Sequence, residues 1–171
     1  MVLAGDTLDP RMRVEAREAN NADIDLLEQM YRSLEAEMVV LHKMWPLADG
    51  LDEPVSESLV AAIANPDSMV LIGSIDNYPF GFLVAHVEQL LAQADSETVG
   101  SIRLIYVEDD AREVAVAEAM RELAVSMFRE RGISKFDAHV LPGHRLAKNF
   151  FEAGGFSARS IIMHHDDHRQ R

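Results

Sequence analysis

Between Val99 and Arg131 the sequence changes its hydrophobic period once, and that change restricts the fold more than any other feature. Residues 98–107 are rich in branched and aromatic side chains and predict a strand. Beyond Asp110, the residues Val114, Ala117, Met120, Ala124 and Phe128 recur at steps of three and four, which predicts an amphipathic helix running to a cap at Gly132. A strand feeding a long helix through a short polar loop is a building unit of α/β folds.

The flanking segments fit such a fold. Residues 13–19 predict a first strand, and Asn20 or Asn21 can cap the helix that follows, with Asp23 and Asp25 at its positive end. Leu27, Tyr31, Leu34, Met38, Leu41 and Trp45 form its apolar stripe, with Pro46 and Gly50 as its stop. Residues 54–64 predict a second helix with Val55, Leu59 and Ile63 inward, ended by Asn65-Pro66-Asp67. Residues 69–75 and 80–87, separated by Asp76-Asn77-Tyr78-Pro79, predict a hairpin. Residues 134–141 and 156–164 predict two further strands around a helix at 144–153, which Gly154-Gly155 stops. A mixed, mostly antiparallel sheet of six to seven strands flanked by helices is the expected α/β architecture.

At 171 residues, with 48% hydrophobic and 26% charged, the chain reads as one globular domain. Residues 1–11 are the expected loose start and 165–171 a polar tail. The balance of 16 basic against 29 acidic residues, a formal charge of -13, argues against nucleic acid and anionic membrane partners and favours a cationic ligand. Without cysteine there is no disulfide, thiolate nucleophile or Cys-based zinc site. No apolar run reaches the roughly 20 residues of a membrane span, and no leader is evident, so a cytoplasmic location is expected. The His164-His165-Asp166-Asp167-His168 run falls in the polar tail and reads as solvated, so no metal is expected. Met30, Met38, Met44 and Trp45 read as core or as a dimer seam, with an apolar substrate pocket as the alternative.

The order of elements, with Arg17-Glu18-Ala19-Asn20-Asn21-Ala22-Asp23, Ile105-Tyr106-Val107-Glu108-Asp109-Asp110-Ala111-Arg112 and Ala147-Lys148-Asn149-Phe150-Phe151-Glu152-Ala153-Gly154-Gly155-Phe156, resembles the GNAT superfamily of N-acetyltransferases over nearly the whole chain. The resemblance implies that acetyl-CoA is the cosubstrate and a primary amine the acceptor, and it admits a homodimer. It also implies that the CoA pyrophosphate meets Arg112-Glu113-Val114-Ala115-Val116-Ala117, where free amides at a helix N-terminus and small side chains suit a phosphate. Ile105, Tyr106 and Val107 would lie along the pantetheine arm, with His144 and Phe151 near the cofactor.

Several positions depart from the family pattern. The fourth motif position holds Ala115 where the family has Gly. Asp110 and Glu113 have the spacing of a capping box that would occupy some of the phosphate-binding amides. Phe151 replaces the tyrosine that protonates the departing thiolate, and Arg103 stands where several relatives place a carboxylate base. Candidate substitutes for the missing groups are Glu88, His86 and Tyr106, with core packing for Tyr106 and an exposed strand face for His86 and Glu88 as the alternative readings. An acyltransferase is therefore the leading expectation, with an acyl-CoA-binding or regulatory domain and an unrelated α/β interaction domain as alternatives.

Overall fold

A computed structural model describes residues 12–168. The loose start expected at 1–11 and the end of the polar tail lie outside them. The sheet has five strands in the order β1 (Val14–Glu18), β2 (Ser68–Ile75), β3 (Tyr78–Gln89), β4 (Thr98–Val107) and β5 (Phe136–Ala138). The first four are antiparallel to their neighbours, and β5 runs parallel to β4. The architecture is the mixed, mostly antiparallel sheet that the pattern implies, with five strands among the described residues rather than six or seven. Residues 156–164 are the difference: they run as coil against β5, tied by Arg159 Nε donating to Asp137 at 2.8 Å.

Helix α1 (Ile24–Leu41) starts after a 3-10 turn at Asn21–Asp23, where Asn20 and Asp23 form a reciprocal capping box. Arg17 adds a fork of two hydrogen bonds to Asp23, at 2.8 and 2.7 Å, which holds that carboxyl below its ordinary pKa. The α1 stripe of Leu27, Met30, Tyr31, Leu34 and Met38 is buried. Contrary to the expected stop at Pro46, α1 ends at Leu41, and His42 is extended. A proline ring at 46 would collide with the carbonyl of residue 42 in a continuous helix, so Pro46 instead opens a short α2 (Trp45–Ala48). Trp45 still joins the core, because α2 continues the stripe on a new axis.

The chain closes with α3 (Val55–Ala64), α4 (Val116–Glu130) and α5 (Arg145–Ala153). The sheet separates two cores. On one face Val70, Ile72, Phe82, Val84 and Leu104 meet α1 and α3. On the other, Leu71, Leu83, Ala85 and Ile102 meet Val116, Met120, Ala124 and Phe128 of α4. Met30 and Met38 belong to the first core, so the methionine stripe is packing, while Met44 is at the surface. No helix among the described residues is long and apolar enough to cross a membrane.

Glycines on the sheet beneath helix α4 leave room for its side chains. Gly73 and Gly81 pair across β2 and β3, and Gly100 lies on β4. A Cβ at Gly73 would lie 2.5 Å from Val116 Cγ1, and one at Gly100 would lie 2.5 Å from Phe128 Cδ2. The helix ends in a Schellman motif: Gly132 N–H donates to Arg129 O at 2.9 Å and Ile133 N–H to Phe128 O at 3.0 Å. Because the Phe128 ring is fully buried, Gly100→Ala is expected to destabilise the protein by about 1–3 kcal/mol, measured by urea denaturation.

Candidate active site

The hairpin and β4 bring the expected cofactor strand to one edge of the antiparallel sheet. Strand β5 pairs with β4 only from Gly100 to Ile102, and the last bond between them is His139 N–H to Ile102 O at 3.0 Å. Beyond that point the strands diverge. Glu108 N–H bonds Phe80 O on β3 at 2.8 Å, so by the alternation of an antiparallel ladder the backbone groups of Ile105 and Val107 face the open side. Arg112 confirms that direction for Val107, since its Nε donates to the Val107 carbonyl at 2.8 Å.

The loop from β4 to α4 differs from the expected one. A 3-10 turn at Asp109–Ala111 follows β4, and α4 starts at Val116 rather than at Asp110. Its buried stripe is consequently Val116, Met120, Ala124 and Phe128, and the expected inward residues Val114 and Ala117 are half-buried. The expected capping box does not form, because Asp110 and Glu113 both precede the helix and Glu113 is exposed. Ala115 occupies the N-cap position with φ 55 and ψ 15 and no side-chain cap bond. The first intrahelical acceptor bond is Ala119 N–H to Ala115 O at 3.0 Å. The amides of Val116, Ala117 and Glu118 therefore carry no hydrogen bond among the described residues, and the small Ala115 and Ala117 leave them approachable. Such a terminus suits an anion.

The left-handed conformation at Ala115 explains why glycine fits that position. A side chain there costs about 1–2 kcal/mol, and glycine adopts the conformation freely.

The Arg112 side chain is held away from the helix terminus. It reaches Glu37 on α1 and pairs with Asp109 at 2.7 Å, and its guanidinium carbon lies 5.8 Å from the centre of the Tyr106 ring. Tyr106 stands beside Ser33, and burial raises its phenol pKa. His144 heads α5, and its side chain makes no cap bond to that helix. It is half-buried near Glu37 and Arg112, and its pKa is lowered by burial first and by the Arg112 cation. Tyr106, Arg112 and His144 thus form one polar group around Glu37, which no spacing along the chain could foretell.

The other expected residues lie apart. Phe151 is 3% exposed and packs edge-on against Phe150 and Phe156 in the α4-side core. His86 and Glu88 share the α1-side face of β3, on the stretch of the sheet where β4 is still paired with β5 or beyond it. His86 Nδ1 lies 2.7 Å from Ser68 Oγ, and Glu88 lies 3.4 Å from Arg103. Two surface concavities, one at Ser56 and Val60 on α3 and one at Arg17 and Ser74, contain none of these residues. No group of three metal-ligating side chains occurs among the described residues.

Solved structures share this architecture. AAC(6')-Iy, in complex with the bisubstrate analogue CoA-S-monomethyl-acetylneamine, superposes with a TM-score of 0.70 at 16% identity, over 93% of this chain and 99% of that one. A ribosomal-protein-alanine N-acetyltransferase from Brucella melitensis biovar Abortus 2308 gives 0.68 at 15%, over 90% and 99%. A transcriptional regulator from Bacillus halodurans C-125 gives 0.71 at 17%, over 90% and 100%. No protein-family model and no curated protein matches the sequence. By its fold the chain is GNAT-like: its architecture is the one these structures have, at 15–17% sequence identity.

Replacing Ala115 by glycine is expected to stabilise the protein by about 1 kcal/mol through relief of the left-handed strain. The measurement is the midpoint of urea denaturation at unchanged slope.

Proposed function

We propose that the protein is an N-acetyltransferase that moves an acetyl or related acyl group from acyl-CoA to a primary amine by direct attack, with both substrates bound together. One observation carries the reading: β4 loses its partner strand beyond Ile102 beside a helix whose first three amides are bare. In this reading the pyrophosphate rests on Val116, Ala117 and Glu118, flanked by Ala115, Val114, Glu113 and Arg112. The pantetheine arm follows Ile105, Tyr106 and Val107 down the open edge, with His144 alongside. From residue 107 to residue 103 the strand advances about 13 Å, which directs the thioester toward the vertex of the cleft.

The chemistry requires the amine nitrogen to form a C–N bond as the C–S bond breaks and CoA leaves as thiolate. A thiolate leaving group with a pKa near 8.5 needs little acid assistance, so a buried Phe151 is compatible with turnover. Holding amine and thioester together supplies much of the acceleration. Glu88, His86 and Tyr106 are the candidate proton acceptors and donors, and the net acidity of the protein favours a cationic acceptor. We place the protein in the cytoplasm, without nucleic acid, membrane or metal, and the fold admits a homodimer.

A second reading has its own support. Arg112 is tied to Glu37, Asp109 and Val107 O, and one structure of this fold is a transcriptional regulator. Both features suit an acyl-CoA-binding or regulatory domain with little catalysis.

Ala115→Arg is expected to abolish acetyl-CoA binding by calorimetry, because its side chain fills the approach to the α4 amides. Unchanged affinity would overturn the placement. In the wild type, release of free thiol with an amine panel supports the enzyme, and binding without thiol release supports the regulatory domain.

A further inference from the structure

A line of polar side chains crosses four strands on the α1-side face of the sheet. Ser68 on β2 pairs with His86 on β3, His86 with Ser101 on β4, and Ser101 with Asp137 on β5. Facing positions on adjacent strands place their Cβ atoms about 5 Å apart, so these side chains are consecutive neighbours. The row lies where apolar packing ends. Two residues along β3 from His86, Val84 still faces the α1-side core.

Ser101 is fully buried, and its hydroxyl has no hydrogen-bond partner among the described residues. A buried hydroxyl without a partner costs about 1–3 kcal/mol, so a polar side chain held there at such a cost points to a ligand group. Its neighbours in the row are an imidazole and a carboxylate. The carboxylate is committed to Arg159, which leaves the His86 side as the polar direction.

Arg103 is the extra residue of the β-bulge between Val84 and Ala85 on β3, where the register passes from Leu104 to Ile102. Its guanidinium pairs with Glu88. His139 lies two residues beyond Asp137, on the same face by alternation, and its amide makes the last bond between β5 and β4. His86 and His139 thus stand on either side of Arg103, at the base of the cleft that opens toward α4.

We propose that His86 and His139 are the proton acceptors for the attacking amine, with Ser68 orienting His86 and Ser101 supplying the buried hydroxyl that completes the site. This inference rests on acyl-CoA lying along β4. The stoichiometry fits two imidazoles. An ammonium substrate loses two protons from nitrogen as the C–N bond forms and the C–S bond breaks. One leaves before attack, creating the nucleophilic lone pair, and the second leaves as the amide forms. One of them finally reaches the CoA sulfur and the other reaches solvent.

The surroundings of both rings favour the uncharged form. Burial, then Arg103, holds His86 below the ordinary imidazole value, with Glu88 opposing. His139 is more exposed; its partial desolvation and Arg103 lower its pKa in the same sense, against Glu88, Asp49 and Asp137. Protonation of either ring would remove the acceptor, so activity is lost as pH falls through a range that lies below the ordinary imidazole pKa.

The test combines an equilibrium and a kinetic measurement on the full chain. In NMR titrations with acetyl-CoA, the ring signals of His86 and His139 are expected to shift, while that of exposed His165 in the tail is unmoved. Binding seen by calorimetry with neither ring perturbed overturns the inference and leaves the cofactor reading intact. Absence of binding overturns both. In thiol-release assays with spermidine, ethanolamine and lysine amide, His86→Gln and His139→Gln are each expected to lower kcat about a hundredfold with KM for acetyl-CoA unchanged. The acid limb of the pH profile should flatten. Ser68→Ala should move that limb with a smaller loss of kcat. Variants that fold, as judged by circular dichroism, and keep the wild-type kcat and pH profile contradict the proposal.

Discussion

The geometry of the site depends on how closely α4 approaches the sheet. Gly73, Gly81 and Gly100 lie under Val116, Met120 and Phe128, and a methyl group at Gly73 or Gly100 would collide with them. Interiors are packed densely enough that a displacement of this kind cannot be absorbed locally. The glycines therefore set the height of the whole helix, and with it the position of its bare N-terminus beside the end of β4. Backbone approach, rather than any charged side chain, creates the proposed anion site.

The distribution of charge follows from that arrangement. The carboxylates near the β4 to α4 loop do not crowd the helix terminus as their spacing suggests. Glu113 is exposed, Asp109 pairs with Arg112, and Glu37 draws the guanidinium toward α1. An acidic chain thus presents neutral amides at its helix terminus and keeps the nearby Arg112 engaged elsewhere. Anion binding would rely on amides and the helix dipole, with Arg112 as a reserve held by exchangeable partners.

Much of the fold was legible from periodicity. The limits of β4, the hairpin turning at Asp76 and Asn77, and helix α3 agree with the expected segments because hydrophobic burial and turn chemistry act there together. The start of α4 was not legible. Asp110 and Glu113 carry the local signature of a capping box, but a left-handed Ala115 and the folded-back Arg112 override it. Residues 156–164 have the apolar alternation of a strand. They remain unpaired because β5 is only three residues long and offers little ladder to join. The grouping of Tyr106, Arg112 and His144 around Glu37 joins positions far apart in sequence, so no spacing rule could reveal it. The glycine track is not legible for the same reason, since its meaning lies in what the glycines face.

The most direct test of the central claim is a titration of the ¹⁵N-labelled protein with CoA, followed through its backbone amide resonances. If the cofactor lies in the cleft, Val116, Ala117 and Glu118 should show the largest downfield shifts, as expected for amides that acquire a phosphate acceptor. Ile105 and Val107 should follow along the open edge. Shifts concentrated elsewhere on the molecule, with these five amides unmoved at saturation, would contradict the account.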